Sequence, residues 1–371
     1  MASGISGYAA ISSRVRAMYS DLLTPQDMTR LSESPDFTSL LSALKSTPYG
    51  KYLAGLKDNE LTPRRVILQI KNRLADSFSS VVQQAPEQTR PLVKQLYRYF
   101  EVGNLKAVLR SIQTVSSWNT ESSSWERVNE VLFPYGSFSS IPAQAMVESG
   151  NVGSAVELLK GTPYESTMSF AMKRFSAEQN LFPIEVALDL DYWRRLWAEA
   201  KKLSGKDREM AVKIIGSLLD MNNLMWVIRY KIYHKLSEEE LINYTLPFGF
   251  RVRDEDVRAI AAGSDIADVV SRIYPTVADV GALLETPQSG LPKLEQQLKR
   301  QVVKQCMAAF IGDPFHIGIP LAYLLLSDFE IQDLIVLIEA KSSNVADEEY
   351  RPLLLKRSEE HTSELQSLTN L

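Results

Sequence analysis

The sequence is poor in the residues that most often bind metals or form disulfides. Its 371 residues include one cysteine, Cys306, and three histidines, His234, His316 and His361. A lone cysteine can form neither an internal disulfide nor a thiolate cage, and so low a cysteine content is typical of a reducing compartment. The histidines show no His-Glu-x-x-His pattern and no other zinc spacing. We therefore expect no metal site and no cofactor.

Motifs for catalysis and nucleotide binding are also missing. There is no Gly-x-x-x-x-Gly-Lys-Ser/Thr loop, and the Gly-Lys in LSGKDRE is isolated. Cys306 and His316 could pair as nucleophile and base, but a buried thiol in the apolar segment VVKQCMAAF is the favoured interpretation. His316 is then a turn or core-edge residue, and the acidic run at residues 238–240 marks a helix N-terminus. The prediction is a non-enzymatic protein without catalytic residues, and the sequence does not identify its partner-binding residues.

A broad basic surface for nucleic acid is absent. The formal net charge is −4. Aromatic and basic residues alternate in the stretch DYWRRLWAEAKKLSGKDR, which contains Trp193, Arg194, Arg195, Trp197, Lys201 and Lys202. Helical spacing places both tryptophans and Ala200 on one stripe and most of the cations elsewhere. We interpret this stretch as an amphipathic helix and expect no nucleic-acid partner.

The chain also lacks β-hairpin signals, and its most apolar segment is interrupted before it reaches membrane length. No Asn-Gly or Asp-Gly turn occurs, although FGFRVRDE near Phe250 could be briefly extended. The most apolar segment is FHIGIPLAYLLLSDFEIQDLIVLIEAK, residues 315–341, and its uninterrupted apolar part covers residues 317–326. That is half of the roughly 20 residues that a membrane-spanning helix needs. The N-terminus lacks the regions of a secretory signal, so we expect a cytoplasmic protein that does not itself span a membrane.

Helix signals, in contrast, are frequent. Thr62 and Pro63 are a typical N-cap and first helical residue, and they precede one apolar face. That face is formed by Ile67, Ile70, Leu74 and Phe78. Thr24 and Pro25 repeat the same start, and Ser237 with Glu240 has the spacing of a capping box. Within residues 315–341, Pro320 could open one helix, and Ser327 with Glu330 could cap a second. The sequence predicts an all-α fold.

Two sequence blocks each occur three times in the same order. The first block is DFTSLLSALKSTPY from Asp36, NVGSAVELLKGTPY from Asn151 and, more loosely, DIADVVSRIYPT from Asp265. The second block is EVGNLKAVLR from Glu101, DMNNLMWVIR from Asp220 and EIQDLIVLIE from Glu330. We predict three tandem helical units, residues 1–130, 131–247 and 248–357.

The second block has an acid at position one, Asn or Asp at four, and apolar residues at five and nine. On a helix, this spacing places the apolar pair on one face, where it can pack. The polar pair lies on a neighbouring face, where it can form hydrogen bonds. Ser217 and Ser327 each stand three residues before the acid, so Asp220 and Glu330 are favoured as parts of capping boxes over direct partner contacts. Arg98 occupies the matching place before Glu101, where the capping interpretation fails.

The C-terminal tail has a different origin in our interpretation. Residues 357–367, RSEEHTSELQS, read as the translation of a common sequencing-library adapter. We therefore expect residues 358–371 to be adapter read-through rather than native protein.

Several segments together resemble one known family. These are YAAISSRVRAMYSDLL near the N-terminus, the three second-block copies and DPFHIGIPLAYLLLSDFEIQDLIVLIEAK. They are similar to the C subunits of the bacterial and archaeal V/A-type rotary ATPases, a family that includes the d subunit of the eukaryotic vacuolar enzyme. The similarity runs from about Tyr8 to Lys356, and its most specific residues are Pro314, Phe315, Gly318, Ala322 and Tyr323. Asp333 and Glu339 replace the Asn and Arg of the first two copies, so the third unit is expected to differ in its surface chemistry.

The resemblance implies a funnel or bowl of three helical units around a pseudo-threefold axis, which acts as a non-catalytic rotor socket. Its implied partners are the D and F subunits of the central stalk and the membrane proteolipid ring (c, K or L), with the membrane stator as a further candidate. The implied place is the cytoplasmic face of the membrane, reached peripherally through the complex, and the implied role is mechanical coupling during ATP-linked proton or sodium transport. The alternative is a helical-repeat adaptor protein unrelated to rotary ATPases.

Overall fold

The computed structural model describes residues 2–57, 60–118, 125–234 and 236–355, and these residues contain helices and connecting segments but no strand. The all-α prediction is confirmed. The helices are α1 (Ala2–Ser20), α2 (Pro25–Ser32), α3 (Phe37–Lys45), α4 (Gly50–Leu53), α5 (Pro63–Gln84), α6 (Arg90–Trp118), α7 (Trp125–Asn129), α8 (Ala143–Glu148), α9 (Val152–Glu157), α10 (Glu165–Glu178), α11 (Phe182–Lys202), α12 (Gly205–Arg229), α13 (Glu238–Asn243), α14 (Asp254–Ala262), α15 (Ile266–Ile273), α16 (Val280–Glu285), α17 (Pro287–Ala308), α18 (Gly318–Ser342) and α19 (Asp347–Tyr350). A π-helical turn, Tyr230–His234, continues α12.

The chain divides into two compact units. One contains residues 1–90 and 200–371, and the other contains residues 91–199. The smaller unit includes most of α6 and α11 with the helices between them, and the larger unit includes α1–α5 and α12–α19. The three predicted repeat units, bounded at residues 130 and 247, stay a prediction. The predicted adapter residues lie outside the described part of the chain.

Side-chain caps fix the starts of several helices where the sequence predicts them. Thr24 caps α2 in a capping box with Asp27, and Ser237 caps α13 in a capping box with Glu240. Thr62 accepts a hydrogen bond from the Arg65 N–H at the start of α5. Each cap satisfies backbone N–H groups that the first turn leaves without an intrahelical partner.

The first sequence block forms a short helix in all three places, and each copy starts with the same kind of cap. Asp36 accepts from the backbone N–H three residues later, and Asn151 and Asp265 do the same. The three copies of the block are therefore equivalent in local structure at their starts, as their alignment predicts.

The apolar faces are buried largely as predicted, with differences in detail. On α5, Ile70, Leu74 and Phe78 are buried, but Val66 is buried in preference to the half-buried Ile67. On α11, Trp193 and Ala200 are buried, whereas Trp197 is half-buried. The stretch near Phe250 is irregular backbone rather than extended strand.

The apolar segment at residues 315–341 is the core of the larger unit. Its residues 318–341 belong to one continuous helix, α18, which packs against α1, α5, α12 and α17. The predicted pair of short helices is therefore wrong: Pro320 lies in the first turn, and Ser327 lies inside the helix. Among the described residues, one helix, Gly205–His234, is long and apolar enough to cross a membrane, but most of it is buried in the protein, as in a core helix.

Candidate functional site: buried carboxylates on the repeated helices

The acid at position one of the second block lies in the interior of a long helix in every copy. Glu101, Asp220 and Glu330 stand inside α6, α12 and α18, and all three are fully buried. The capping-box interpretation of Asp220 and Glu330 is therefore wrong, because neither residue is near a helix start. A buried carboxylate must be matched by hydrogen-bond donors or by a cation, so the partners of these groups define the site.

Glu101 is held by residues of the smaller unit. The Tyr164 hydroxyl donates to its Oε2 at 2.6 Å, and the Ser140 backbone N–H donates to its Oε1. Arg98, one turn earlier on α6, approaches Oε2 at 3.7 Å. Burial and the neighbouring carboxylate raise the pKa of Tyr164 well above its ordinary value, so the tyrosine remains a hydrogen-bond donor.

Asp220 is held by a loop of the larger unit. Its two oxygens accept from the backbone N–H groups of Phe250, Arg251 and Val252 at 2.8, 2.7 and 3.1 Å. The Tyr274 hydroxyl donates to Oδ2 at 2.9 Å. Burial raises the pKa of Asp220, and the backbone donors oppose that rise. Three backbone N–H groups and one hydroxyl therefore satisfy this buried carboxylate.

Glu330 has the most strongly charged surroundings of the three. The Tyr49 hydroxyl donates to Oε1 at 2.8 Å, and the Leu23 backbone N–H donates to Oε2 at 2.7 Å. The Arg73 guanidinium lies 3.3 Å from Oε1, 4.5 Å from the centre of the Tyr49 ring, and also donates to the Asp21 carbonyl at 2.6 Å. This is a buried ion pair in which a second guanidinium nitrogen also donates to a backbone carbonyl.

The three pairings follow one rule. Each carboxylate accepts hydrogen bonds from backbone N–H at the start of a small-helix group and from the tyrosine at its end. The small-helix groups are residues 23–49, 140–164 and 250–274. Glu101 and Asp220 bind the group that follows them in sequence, whereas Glu330 binds the first group of the chain. The tyrosines were not predicted as partners of the acids, although Tyr49 and Tyr164 align in the first block. In the third copy, Tyr274 comes four residues earlier than that alignment places it.

Position four of the block forms a second tie. The Asn104 side chain donates to the Phe133 carbonyl at 2.9 Å and accepts from the Phe133 N–H at 2.7 Å. Asn223 makes the same two hydrogen bonds with Leu246, each at 3.0 Å. A side-chain amide matches a peptide group in this way because it carries both a donor and an acceptor.

The third copy departs from this arrangement, as its sequence predicts. Asp333 accepts from the Leu355 N–H at 2.9 Å. A carboxylate cannot also donate to a carbonyl, as the side-chain amides of Asn104 and Asn223 do. At position ten the first two copies carry Arg110 and Arg229, which pair with Glu185 and Glu295 at 2.5 Å. The third copy carries Glu339, which interacts electrostatically with Lys71, so the signs of the two charges are reversed.

The groups considered for catalysis have ordinary structural roles. Cys306 is fully buried, and burial raises the pKa of its thiol, which agrees with the inert-thiol interpretation. His316 is buried just before α18, where its Nδ1 accepts from the Gly318 N–H at 3.1 Å. Burial lowers the pKa of His316. Within the described ranges, no group of three His, Cys, Asp or Glu side chains is arranged to hold a metal ion.

A polar network around Asp328 on α18 predicts a pH dependence of stability. Gln332 donates to the half-buried Asp328 at 2.9 Å, and Lys299 donates to Gln332 at 2.8 Å. Burial raises the pKa of Asp328 from 3.8 to about 6, and Lys299 partly opposes the rise. Between these values the folded state binds a proton that the unfolded state has lost, so the free energy of unfolding falls as pH rises.

We expect this loss to reach at most about 3 kcal/mol, and Asp328→Asn should abolish it. Urea unfolding at about pH 4 and about pH 7.5 checks this expectation. The variant should exceed the parent protein in stability only at the higher pH. An equal gain at both pH values would show that Asp328 is not the titrating group.

These features define a class of all-helical protein with three copies of one helix. Each copy buries an acid, and each acid binds a small-helix group. The model of the family described as ATP synthase (C/AC39) subunit matches residues 11–353, and the chain belongs to that family. Similar proteins include the C subunit of the A-type ATP synthase of Methanocaldococcus jannaschii, 23% identical over 94% of this chain and 86% of that protein. The corresponding C subunit of Methanococcoides burtonii is 23% identical over 94% of both chains, and that of Pyrococcus horikoshii is 24% identical over 88% and 84%. The predicted family is confirmed, and an adaptor unrelated to rotary ATPases is excluded.

Proposed function

We propose that the chain is the central rotor socket of a V/A-type rotary ATPase. In this role it couples the shaft, made of the D and F subunits, to the membrane proteolipid ring during ATP-linked proton or sodium transport, and it performs no catalysis itself. It is attached peripherally at the cytoplasmic face through the complex, where the membrane stator is a further candidate neighbour. The proposal extends to the three units and the funnel that the family resemblance implies.

The observation that carries the proposal is the set of three buried carboxylates at one position of the repeated helix. A part that transmits torque must not shear between its elements, and close-packed interiors with satisfied polar ties resist such movement. Glu101, Asp220 and Glu330 each join a long helix to a separate small-helix group. An active site would instead leave such groups accessible to a substrate.

Affinity purification from solubilised membranes tests the proposal. The tagged chain should recover a shaft made of D-like and F-like proteins together with the proteolipid ring. As a matched control, Asp220→Asn weakens one tie without altering an exposed side chain, and it should reduce recovery only in proportion to the folded fraction. Recovery of neither the shaft nor the ring by the folded parent protein would contradict the rotor role.

A further inference from the structure

The three small-helix groups are connected to their carboxylates in different ways. The backbone donor Ser140 lies 39 residues from Glu101, and Phe250 lies 30 residues from Asp220, so the chain leaves the repeated helix and returns. Leu23 lies 307 residues from Glu330. The first group is instead connected at its two ends, to α1 before it and through residues 50–62 to α5 after it.

Helix α1 is the connection at the start of the first group. It ends at Ser20, just before the donor Leu23, and one of its faces contacts the turn between α17 and α18. The Ser12 hydroxyl donates to the Pro314 carbonyl at 2.7 Å, and Arg16 donates to the Phe310 carbonyl at 3.1 Å. The ring of Tyr19 lies 4.5 Å from that of Phe310.

A second contact holds the other end of α1. The Tyr8 hydroxyl donates to Asp207 Oδ1 at 2.8 Å, and the same oxygen accepts from the Ile317 N–H at 2.8 Å. Tyr8 and Ser12 are one turn apart, so they share a face of the helix. These contacts join α1 to the residues that immediately precede α18.

We propose that α1 is a noncovalent strap that keeps the first small-helix group docked on Glu330. The strap anchors the start of the first group, whereas the connection to α5 anchors its end. Its release opens the Glu330 site and separates the first group from α18, while the Glu101 and Asp220 sites stay closed. The strap is a conformational device of this chain, and it does not depend on the rotor role.

Hydrogen exchange in the full-length chain tests the strap. The amides of Leu23, Ser140 and Arg251 are matched reporters, because each donates to a different buried carboxylate. The double variant Ser12→Ala/Arg16→Ala removes two strap hydrogen bonds. We expect exchange in the peptide that contains Leu23 to accelerate at least about tenfold through local opening, with the other two peptides unchanged.

The control variant is Ser13→Ala/Arg14→Ala, which makes the same two residue changes on the same helix. Arg14 donates to Ser80 on α5 rather than to the turn before α18, and Ser13 is exposed. The control should leave exchange at Leu23 unchanged. Acceleration by the control equal to that of the strap variant, equal acceleration of all three reporters, or no change at Leu23 would each overturn the proposal.

If the double variant does not fold, Ser12→Ala alone provides the test. It removes one hydrogen bond, and exchange at Leu23 should still accelerate about threefold or more relative to Ser13→Ala. No difference between these two single variants would also overturn the strap.

Discussion

Glu330→Gln is expected to destabilise the protein more than removal of either other buried carboxylate charge. The neutral side chain would leave the Arg73 guanidinium, which is 9% exposed, without its counter-ion. Breaking one side of a buried ion pair typically costs about 3 to 5 kcal/mol. The measurement is the midpoint of urea unfolding followed by circular dichroism, and the variant should unfold at a clearly lower concentration.

Two matched variants separate the ion pair from the hydrogen bonds. Glu101→Gln and Asp220→Asn also weaken bonds from a tyrosine and from backbone N–H groups. Glu101→Gln leaves the Arg98 guanidinium behind, but that side chain is 27% exposed and can be hydrated. Each should cost only about 1 to 3 kcal/mol. Arg73→Met in the Glu330→Gln background should recover part of the loss, because it removes the unpaired charge. Equal losses for all three carboxylates would show that Arg73 contributes nothing specific.

The helix starts and the repeated blocks could be predicted because their causes are local. Thr24, Thr62 and Ser237 cap helices within three residues of themselves, and the equivalent starts of α3, α9 and α15 follow from the residue that opens each block. A hydrogen-bond acceptor three residues before a free N–H is an interaction that a sequence pattern can encode.

The partners of the repeated acids could not be predicted, because they lie far away in sequence. Tyr164 is 63 residues from Glu101, Tyr274 is 54 residues from Asp220, and Tyr49 is 281 residues from Glu330. Repetition showed that the acids matter without showing what they bind.

The spacing of Ser327 and Glu330 misled the capping prediction for a related reason. The same letters fit a helix start and a helix interior, and only tertiary packing decides between them. In α18, packing against α1, α5, α12 and α17 extends one helix through both residues. Because Pro320 falls in the first turn, where its missing N–H breaks no hydrogen bond, it does not divide the helix.

Gly249→Ala is the second change with a large expected effect, and it tests the Asp220 site from the loop side. A Cβ atom at Gly249 would overlap Asp220 Oδ1 and lie 3.0 Å from the Val252 carbonyl oxygen. The loop would have to retreat and lengthen the bonds from Phe250, Arg251 and Val252. We expect a loss of at least about 2 kcal/mol in urea unfolding, as for overpacking of a tight interior.

Gly103→Ala is the matched control, because it makes the same chemical change with the opposite expected sign. Gly103 is exposed inside α6, and no atom would lie within 4 Å of its new Cβ. Alanine should stabilise this helix by about 0.5 to 1 kcal/mol, since glycine loses more backbone entropy on folding. Peptide exchange should accelerate around Arg251 in Gly249→Ala and nowhere in Gly103→Ala. If Gly249→Ala were neutral, the loop would have room to move, and the close approach of backbone to carboxylate would not be what holds the third small-helix group in place.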